Sequence, residues 1–285
     1  DLSYDSTETT VRLYFADANG RYLVTAERSR YFSDAEEIPR FVVEQLLAGP
    51  AEEGQLAVMP EGTTLLDIAL DDDGVCTVNL SSEFVYNKPD TGLLERMAVL
   101  SLVNSLTELE PIKAVRILVE GETVGPYLNM DLDRDLVRDP SALDVVREGL
   151  DEVDATLYVR GCQNTRLAPV PVSVRQLAQV PIQESLMEQL TAFTEINGLT
   201  NPLPEGTALQ WAQMYGNVCR VDLSQQLLAC AGSAVEEQLA IQAVAATLLP
   251  LDGVDGVQIS VNGRSDGFRY YTLNRIYTAD DLWPA

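Results

Sequence analysis

The sequence predicts an α/β fold of the α+β sandwich kind, in two tandem copies of a small mixed sheet covered by two helices. Three observations predict it. Pro60-Glu61-Gly62-Thr63 returns as Pro204-Glu205-Gly206-Thr207, 144 positions later. The same offset carries Leu13-Tyr14 onto Leu157-Tyr158. With a drift of one or two residues, Val75-Cys76-Thr77-Val78-Asn79-Leu80 falls on Val218-Cys219-Arg220-Val221-Asp222-Leu223, and the segment from Val115 to Gly121 on that from Val257 to Gly263. A register held this long marks an internal repeat. At 285 residues each copy is long enough to bury its own core.

Residues 1–10 are polar and read as a flexible leader. Residues 11–125 form the first domain, 126–154 a linker or extension, 155–267 the second domain and 268–285 a C-terminal extension. Residues 11–16 alternate and are rich in β-branched and aromatic side chains, so they read as a strand closed by the turn cluster Asp17-Ala18-Asn19-Gly20. Residues 21–32 read as an irregular extended stretch. Ser33, followed by Asp34, Ala35 and Glu36, has the pattern of a capping box. Ile38, Phe41, Val42 and Leu46 share one helical face, and Gly49-Pro50 stops that helix. Residues 64–70 and 75–80 form a hairpin, with Asp73-Gly74 supplying positive φ angles. Residues 81–90 read as a loop, 93–106 as a strongly apolar helix and 114–119 as a strand. The outline is ββαββαβ, or βαββαβ if residues 21–32 stay unpaired; either way the helices cover one face of the sheet.

The second copy keeps the order. Its strands are 155–160, 208–214, 218–223 and 257–261, and its helices are 181–193 and 234–248. Phe193-Thr194 stands where Gly49-Pro50 stood, which predicts that the first helix runs on towards Asn197-Gly198. In the 126–154 segment, Leu143, Val146 and Leu150 are spaced for a short helix after Asp139-Pro140-Ser141. The final extension carries Tyr270, Tyr271, Tyr277 and Trp283, and both extensions are expected to pack back on their domains.

The net charge is −25, with no histidine and two lysines, Lys88 and Lys113. Nucleic-acid binding needs clustered cations to neutralise phosphates, so it is disfavoured, as is docking on anionic lipid. The acidic surface serves solubility or faces a partner with a basic surface. No apolar run approaches the roughly 18 residues that read as a membrane-spanning helix. The chain starts Asp1-Leu2-Ser3-Tyr4, so either a targeting segment precedes it or it starts inside a longer product.

Histidine-dependent nucleophilic catalysis is excluded in its usual form, and there is no glycine-rich phosphate cradle. No cysteine pair is spaced as CxxC, which argues against zinc. Cys76 and Cys219 alternate with valine and leucine and are expected to be buried; a disulfide between Cys162 and Cys230 stays open. Asp131, Asp133 and Asp135 alternate as in a calcium loop. That loop lacks the glycine and the closing glutamate, since Leu136 and Ala142 stand there. Asp71-Asp72-Asp73 reads as a solvated turn. No catalytic, cofactor-binding or metal-binding residue is therefore assigned. The signature is a structural turn: Pro60, Gly62 and Thr63, with Pro204, Gly206 and Thr207. Tyr14 and Tyr158 read as half-buried sheet residues.

Each repeat resembles a GerMN domain, the sporulation and spore germination domain found in tandem in GerM-like proteins. The resemblance rests on Leu13-Tyr14-Phe15, on the helix end Leu46-Leu47-Ala48-Gly49-Pro50, on Pro60-Glu61-Gly62-Thr63, on the segment from Val78 to Phe84, and on the strand ending in Gly121. The second copy matches in its first strand, Pro204-Glu205-Gly206-Thr207, Val221-Asp222-Leu223-Ser224 and Gly263, and departs at the missing Gly-Pro. The resemblance implies a fold similar to ring-building motifs, no enzymatic activity and no cofactor. It also implies an extracytoplasmic location, with a lipid anchor as the only link to a membrane. The expected function is a non-catalytic assembly protein that contacts protein partners of a membrane-associated complex. The alternatives are a module binding cell-wall glycan or peptide in the inter-domain cleft with the C-terminal aromatic residues, and a hydrolase using paired carboxylates.

Overall fold

The computed structural model describes residues 6–89, 91–127, 130–144, 152–163, 165–175 and 180–282. The chain divides into two compact units, Asp1–Val145 and Val146–Ala285. Each has its own apolar core.

The first unit opens with a long hairpin of β1 (Thr7–Asp17) and β2 (Leu23–Phe32), paired from Thr7↔Phe32 to Ala16↔Leu23. The strand therefore starts within the stretch expected to be a flexible leader. Alternating threonines favour extended backbone, and Thr10 and Ser29 meet across the ladder at 2.8 Å. The same ladder makes residues 23–32 a regular strand rather than an irregular stretch. A 3₁₀ turn, Ala35–Glu37, leads into α1 (Ile38–Ala48). Its cap is Asp34, whose carboxylate accepts from the Glu36 amide at 2.9 Å, and not Ser33. Gly49, at φ 86°, ends α1 as expected.

A short β3 (Gln55–Leu56) pairs with β1. Next comes the hairpin of β4 (Leu65–Leu70) and β5 (Val75–Leu80). Its turn differs from expectation, because Gly74 has positive φ (88°) and Asp73 does not. The Asp71 carboxylate accepts from the amides of Asp73 (3.0 Å) and Val75 (2.8 Å), so the loop is a side-chain-stabilised turn closed by one left-handed glycine. Part of the expected 81–90 loop is a one-turn helix, α2 (Glu83–Tyr86). Then α3 (Gly92–Leu106) crosses over to β6 (Ala114–Val119), which runs parallel to β5.

Residues 122–144 belong to the first unit. They form β7 (Glu122–Thr123), β8 (Pro126–Tyr127), β9 (Met130–Asp131) and β10 (Leu136–Val137). Here β10 pairs with β6, and Tyr127, Met130, Leu132, Leu136 and Ala142 enter the core. Pro140–Ala142 is a 3₁₀ turn. Leu143, expected to begin a short helix, is instead extended and bridges to Leu23, while Val146 and Leu150, expected in the same helix, lie outside the described residues.

The second unit repeats the plan. A hairpin of β11 (Glu152–Arg160) and β12 (Leu167–Arg175) precedes α4 (Ile182–Thr191). This helix stops at Thr191 rather than near Asn197. Asn201 supplies the missing stop: its side-chain amide donates to the carbonyls of Leu190, Thr191 and Phe193. The hairpin of β13 (Leu209–Tyr215) and β14 (Val218–Leu223) follows, then α5 (Ala234–Leu248), β15 (Gly256–Val261) and α6 (Ala279–Leu282). Strand β15 is parallel to β14. Tyr277 bonds back to Val257 by two 2.8 Å backbone hydrogen bonds, flanking β15 as β10 flanks β6.

The fold class is the expected α+β one. Within it, the strands of the first unit divide mainly between the order β2-β1-β3 and the order β10-β6-β5-β4, and those of the second between β11-β12 and β13-β14-β15. Cys76 and Cys219 are fully buried, and burial pushes their thiols up to about 12 and about 11. Cys162 and Cys230 are not bridged by a disulfide.

Candidate functional site

The turn signature is a backbone device in both copies. The Thr63 amide donates to the Pro60 carbonyl at 3.2 Å and the Thr207 amide to Pro204 at 3.1 Å. Gly62 and Gly206 sit at φ 81° and 79°, the left-handed third position of a type II turn. Thr63 and Thr207 are buried. The Thr63 hydroxyl also donates to the Pro60 carbonyl (2.7 Å), whereas the Thr207 hydroxyl has no hydrogen-bond partner among the described residues.

Other equivalent polar side chains hold backbone too. Ser81 accepts from the Thr64 amide and Ser224 from the Ala208 amide, both at 3.0 Å. Asn79 accepts from the Gly121 amide (2.8 Å) and Asp222 from the Gly263 amide (2.7 Å). Ser105 on α3 accepts from the Tyr14 amide (3.0 Å), and Thr247 on α5 from the Tyr158 amide (3.1 Å). Thr91 and Ser233 cap the two helices. Each satisfies a backbone amide; the one at Tyr14 is buried, those at Thr64, Ala208, Gly263 and Tyr158 are partly buried, and those at Gly121, Leu94 and Glu236 are exposed.

Two buried glutamates went unnoticed in the sequence. Glu95 and Glu237 both lie four residues after their helix caps. The Glu237 carboxylate accepts from the amides of Gly232 (2.8 Å), Arg269 (2.8 Å), Tyr270 (2.7 Å) and Tyr271 (3.0 Å). Burial alone would raise its pKa, but these four amides outweigh it and hold the carboxyl below its usual range. Glu95 accepts no hydrogen bond among the described residues, and its nearest cation is the Lys88 Nζ at 3.7 Å. Burial pushes it up to about 7, against the pull of Lys88. The available signal was a carboxylate at the same place in two otherwise apolar helical runs.

Position 96 also differs from its counterpart, Gln238. Arg96 is buried and donates to the Asp139 carboxylate at 2.6 Å. Asp139 also exchanges backbone bonds with the Asn104 side chain, at 3.0 and 2.9 Å. The first unit thus fastens its extension to α3 through Arg96, Asn104 and Asp139. The second fastens its own to α5 through Glu237.

A concavity of about 700 Å³ in the first unit lies where the start of α1, strand β4 and the segment after α3 meet. Its apolar lining includes Ile38, Pro39, Ile68, Leu70, Leu109 and Ile112. Three carboxylates, Glu36, Glu108 and Glu110, share the lining, and no lysine or arginine does. Glu108 is already engaged by the Tyr14 hydroxyl (2.6 Å), Arg12 (3.4 Å) and Arg138. Burial would raise its pKa, but these partners hold it below the usual range. Glu36 and Glu110 are exposed and make no ion pair among the described residues. In the second unit the equivalent place is bridged. Gln183, where Pro39 stands in the first copy, is buried and donates to the Ala212 carbonyl of β13 at 3.4 Å. Proline offers no such donor.

The remaining sequence candidates fall as follows. Tyr14 is buried and belongs to the Glu108–Arg138 network; Tyr158 is half-buried. Tyr270 and Tyr271 line a shallow hollow of about 430 Å³, Tyr277 is packed into the core, and Trp283 lies outside the described residues. Asp131 and Asp135 face Arg134 and Arg116 at 3.4 and 2.7 Å. Among the described residues no group of three or more aspartate, glutamate or cysteine side chains is placed to hold a metal ion. No described helix is long and apolar enough to cross a membrane.

Comparison with known proteins supplies the family. The solved tandem GerMN domains of the sporulation protein GerM from Bacillus subtilis are 18% identical, over 91% of this chain and 93% of that one, with a TM-score of 0.40. The first of those domains alone is 20% identical, over 48% of this chain and 97% of its own, with a TM-score of 0.35. A putative lipoprotein from Clostridium perfringens is 21% identical, over 46% of this chain and 87% of its own, with a TM-score of 0.33. A search of curated proteins finds no match. The profile of the Germane family, described as sporulation and spore germination, matches residues 12–125 and 156–267, one match per repeat. The chain belongs to the Germane family of sporulation and spore germination domains, in two tandem copies.

Proposed function

We propose that this chain is a non-catalytic assembly protein, supporting an envelope or sporulation complex by protein–protein contacts in an extracytoplasmic space. Attachment to a membrane would come only through an N-terminal lipid anchor. The observation that carries the reading is what the two copies share. Their equivalent polar side chains, Asn79 and Asp222, Ser81 and Ser224, Ser105 and Thr247, all accept from backbone amides. The polar constellation that survives duplication thus maintains a scaffold, and the copies differ on their surfaces, as modules engaging different partners would.

Deletion of the gene in the organism that encodes it, scored as heat-resistant spores, tests the reading. A large loss restored by the intact chain is expected. Normal spore yield would overturn the sporulation role, and a turnover activity in the purified chain would overturn the non-catalytic one.

A further inference from the structure

We propose that the groove of the first unit, between the start of α1, strand β4 and residues 108–112, receives an apolar segment of a partner protein flanked by lysine or arginine. The proposal deepens the protein-contact reading and rests on it.

Shape comes first. At about 700 Å³ the groove has the size of a specific site, and its floor is aliphatic. Leu70 is 41% exposed there, a large apolar side chain without cover. Strand β4 ends its sheet, hydrogen-bonded among named strands only to β5. Exposed edges of this kind accept extended segments from other chains.

Charge chooses the occupant. Glu36 and Glu110 stand on the lining without ion pairs, and Asp34 and Glu37 flank Glu36 on the same turn. Of the cations near the lining, Arg12 and Arg138 pair with Glu108, Arg40 pairs with Asp67 at 3.8 Å, and the Lys113 Nζ donates to the Asp73 carbonyl at 3.4 Å. An acidic or neutral segment would bring no compensation to Glu36 and Glu110, whereas a basic one would be steered in and held.

The second copy provides the internal control. Its Gln183 spans the equivalent place to Ala212, and Ala212 is fully buried where Ile68 is only half-buried. Proline at 39 cannot make that bridge, so the place is spanned by a side chain in the second copy and not by that residue in the first.

The test uses the whole chain and a short peptide of alternating lysine and leucine, followed by amide NMR shifts. Shifts are expected on Ile38, on residues 68–70 and on residues 109–112. Reversing both free carboxylates (E36K with E110K) should weaken binding roughly fivefold or more, and salt of about 1 M should do likewise. L70E should weaken it by inserting a charge, with the thermal midpoint checked to show that the fold survives. E205K, in the second unit, should change little. Equal binding of a glutamate–leucine peptide, shifts spread over both units, or indifference to E36K/E110K would overturn the proposal. In the encoding organism, a deletion that costs spores while E36K/E110K does not would sink the groove and leave the assembly role standing. A deletion without effect would sink the assembly role itself.

Discussion

Glu95 and Glu237 occupy the same place on the two copies of one helix, and their surroundings drive their charge in opposite directions. Glu237 lies in a nest of four backbone amides, three of them from residues 269–271 of its own extension. Glu95 accepts no hydrogen bond among the described residues, and the fastening of its extension has passed to the neighbouring helix position, Arg96 with Asp139. Duplication kept the mechanical task, which is to tie a returning segment to the second helix. It reversed the sign of the residue that performs it. A carboxylate can serve as an anchor only where amides point at it. Where the anchor is an arginine, the carboxylate beside it has no amides to hold and carries a desolvation penalty.

The largest effect should come from removing the anchor of the first unit. Asp139→Ala leaves Arg96 buried without its counter-ion, and breaking such a pair costs about 3–5 kcal/mol. Chemical denaturation should show it as a lower midpoint for the unit 1 transition. A loss under about 1 kcal/mol would mean that Arg96 escapes to water and is no anchor. Next is Glu237→Ala, which strands four amides in the second unit. Each such bond to a charged group is worth about 1.5–3 kcal/mol net, and water can enter the vacated space, so a total of about 3 kcal/mol is expected. Faster amide exchange confined to Gly232 and residues 269–271 would locate the damage; exchange unchanged at those amides would refute the nest.

Glu95→Gln should go the other way. At pH 8 it removes a buried charge that no hydrogen bond compensates, so the first unit should gain about 1–2 kcal/mol. The pH dependence follows with a definite sign. An unfolded glutamate titrates near about 4.3, and folded Glu95 near about 7. Its folded state therefore prefers the proton. Stability from this source is complete below about pH 4.3 and declines as pH rises towards 7. Glu237 is shifted downward, so its contribution is complete above about pH 4.3 and is lost as pH falls through its folded value. The charged and titratable groups around Glu95 are Lys88 and Tyr127, and Lys88→Met should move its window upward. Unfolding of each unit, followed by residue-resolved amide exchange across pH, checks both windows. Parallel pH profiles in the two units would break the comparison.

Much of this architecture could be read from residue pattern. The β4–β5 and β13–β14 hairpins, α3, α5 and the last strands fell where periodicity and turn residues put them, because local signals and tertiary packing agree there. The misses share one cause. The early start of β1 and the regularity of β2 depend on pairing with distant chain, whereas the packing of residues 126–144 on the first core agrees with the expectation that the extensions fold back. The end of α4 depends on Asn201, ten positions beyond Thr191. The turn signature was legible as a turn because glycine at positive φ leaves a mark in sequence. The groove was not, since it is lined by three elements distant in sequence, and Pro39 stands where the second copy carries the bridging Gln183.

The signature itself provides the finest test of how far the copies have diverged. Thr63 and Thr207 are equivalent and buried, yet among the described residues only the Thr63 hydroxyl has a partner, the Pro60 carbonyl. That carbonyl also accepts from the Thr63 amide, so Thr63→Val leaves no acceptor orphaned and should cost about 1 kcal/mol, one net hydrogen bond. Thr207→Val preserves the branched shape and removes a buried hydroxyl that was paying nothing back, so the second unit should hold steady or gain up to about 1 kcal/mol. Thermal midpoints of the two variants, moving in opposite directions or one only downward, would show that the repeated threonine is a hydrogen-bonding residue in one copy and a shape-filling residue in the other. An equal loss in both would mean that the second hydroxyl finds a partner in solution, and that the turn is the same device twice.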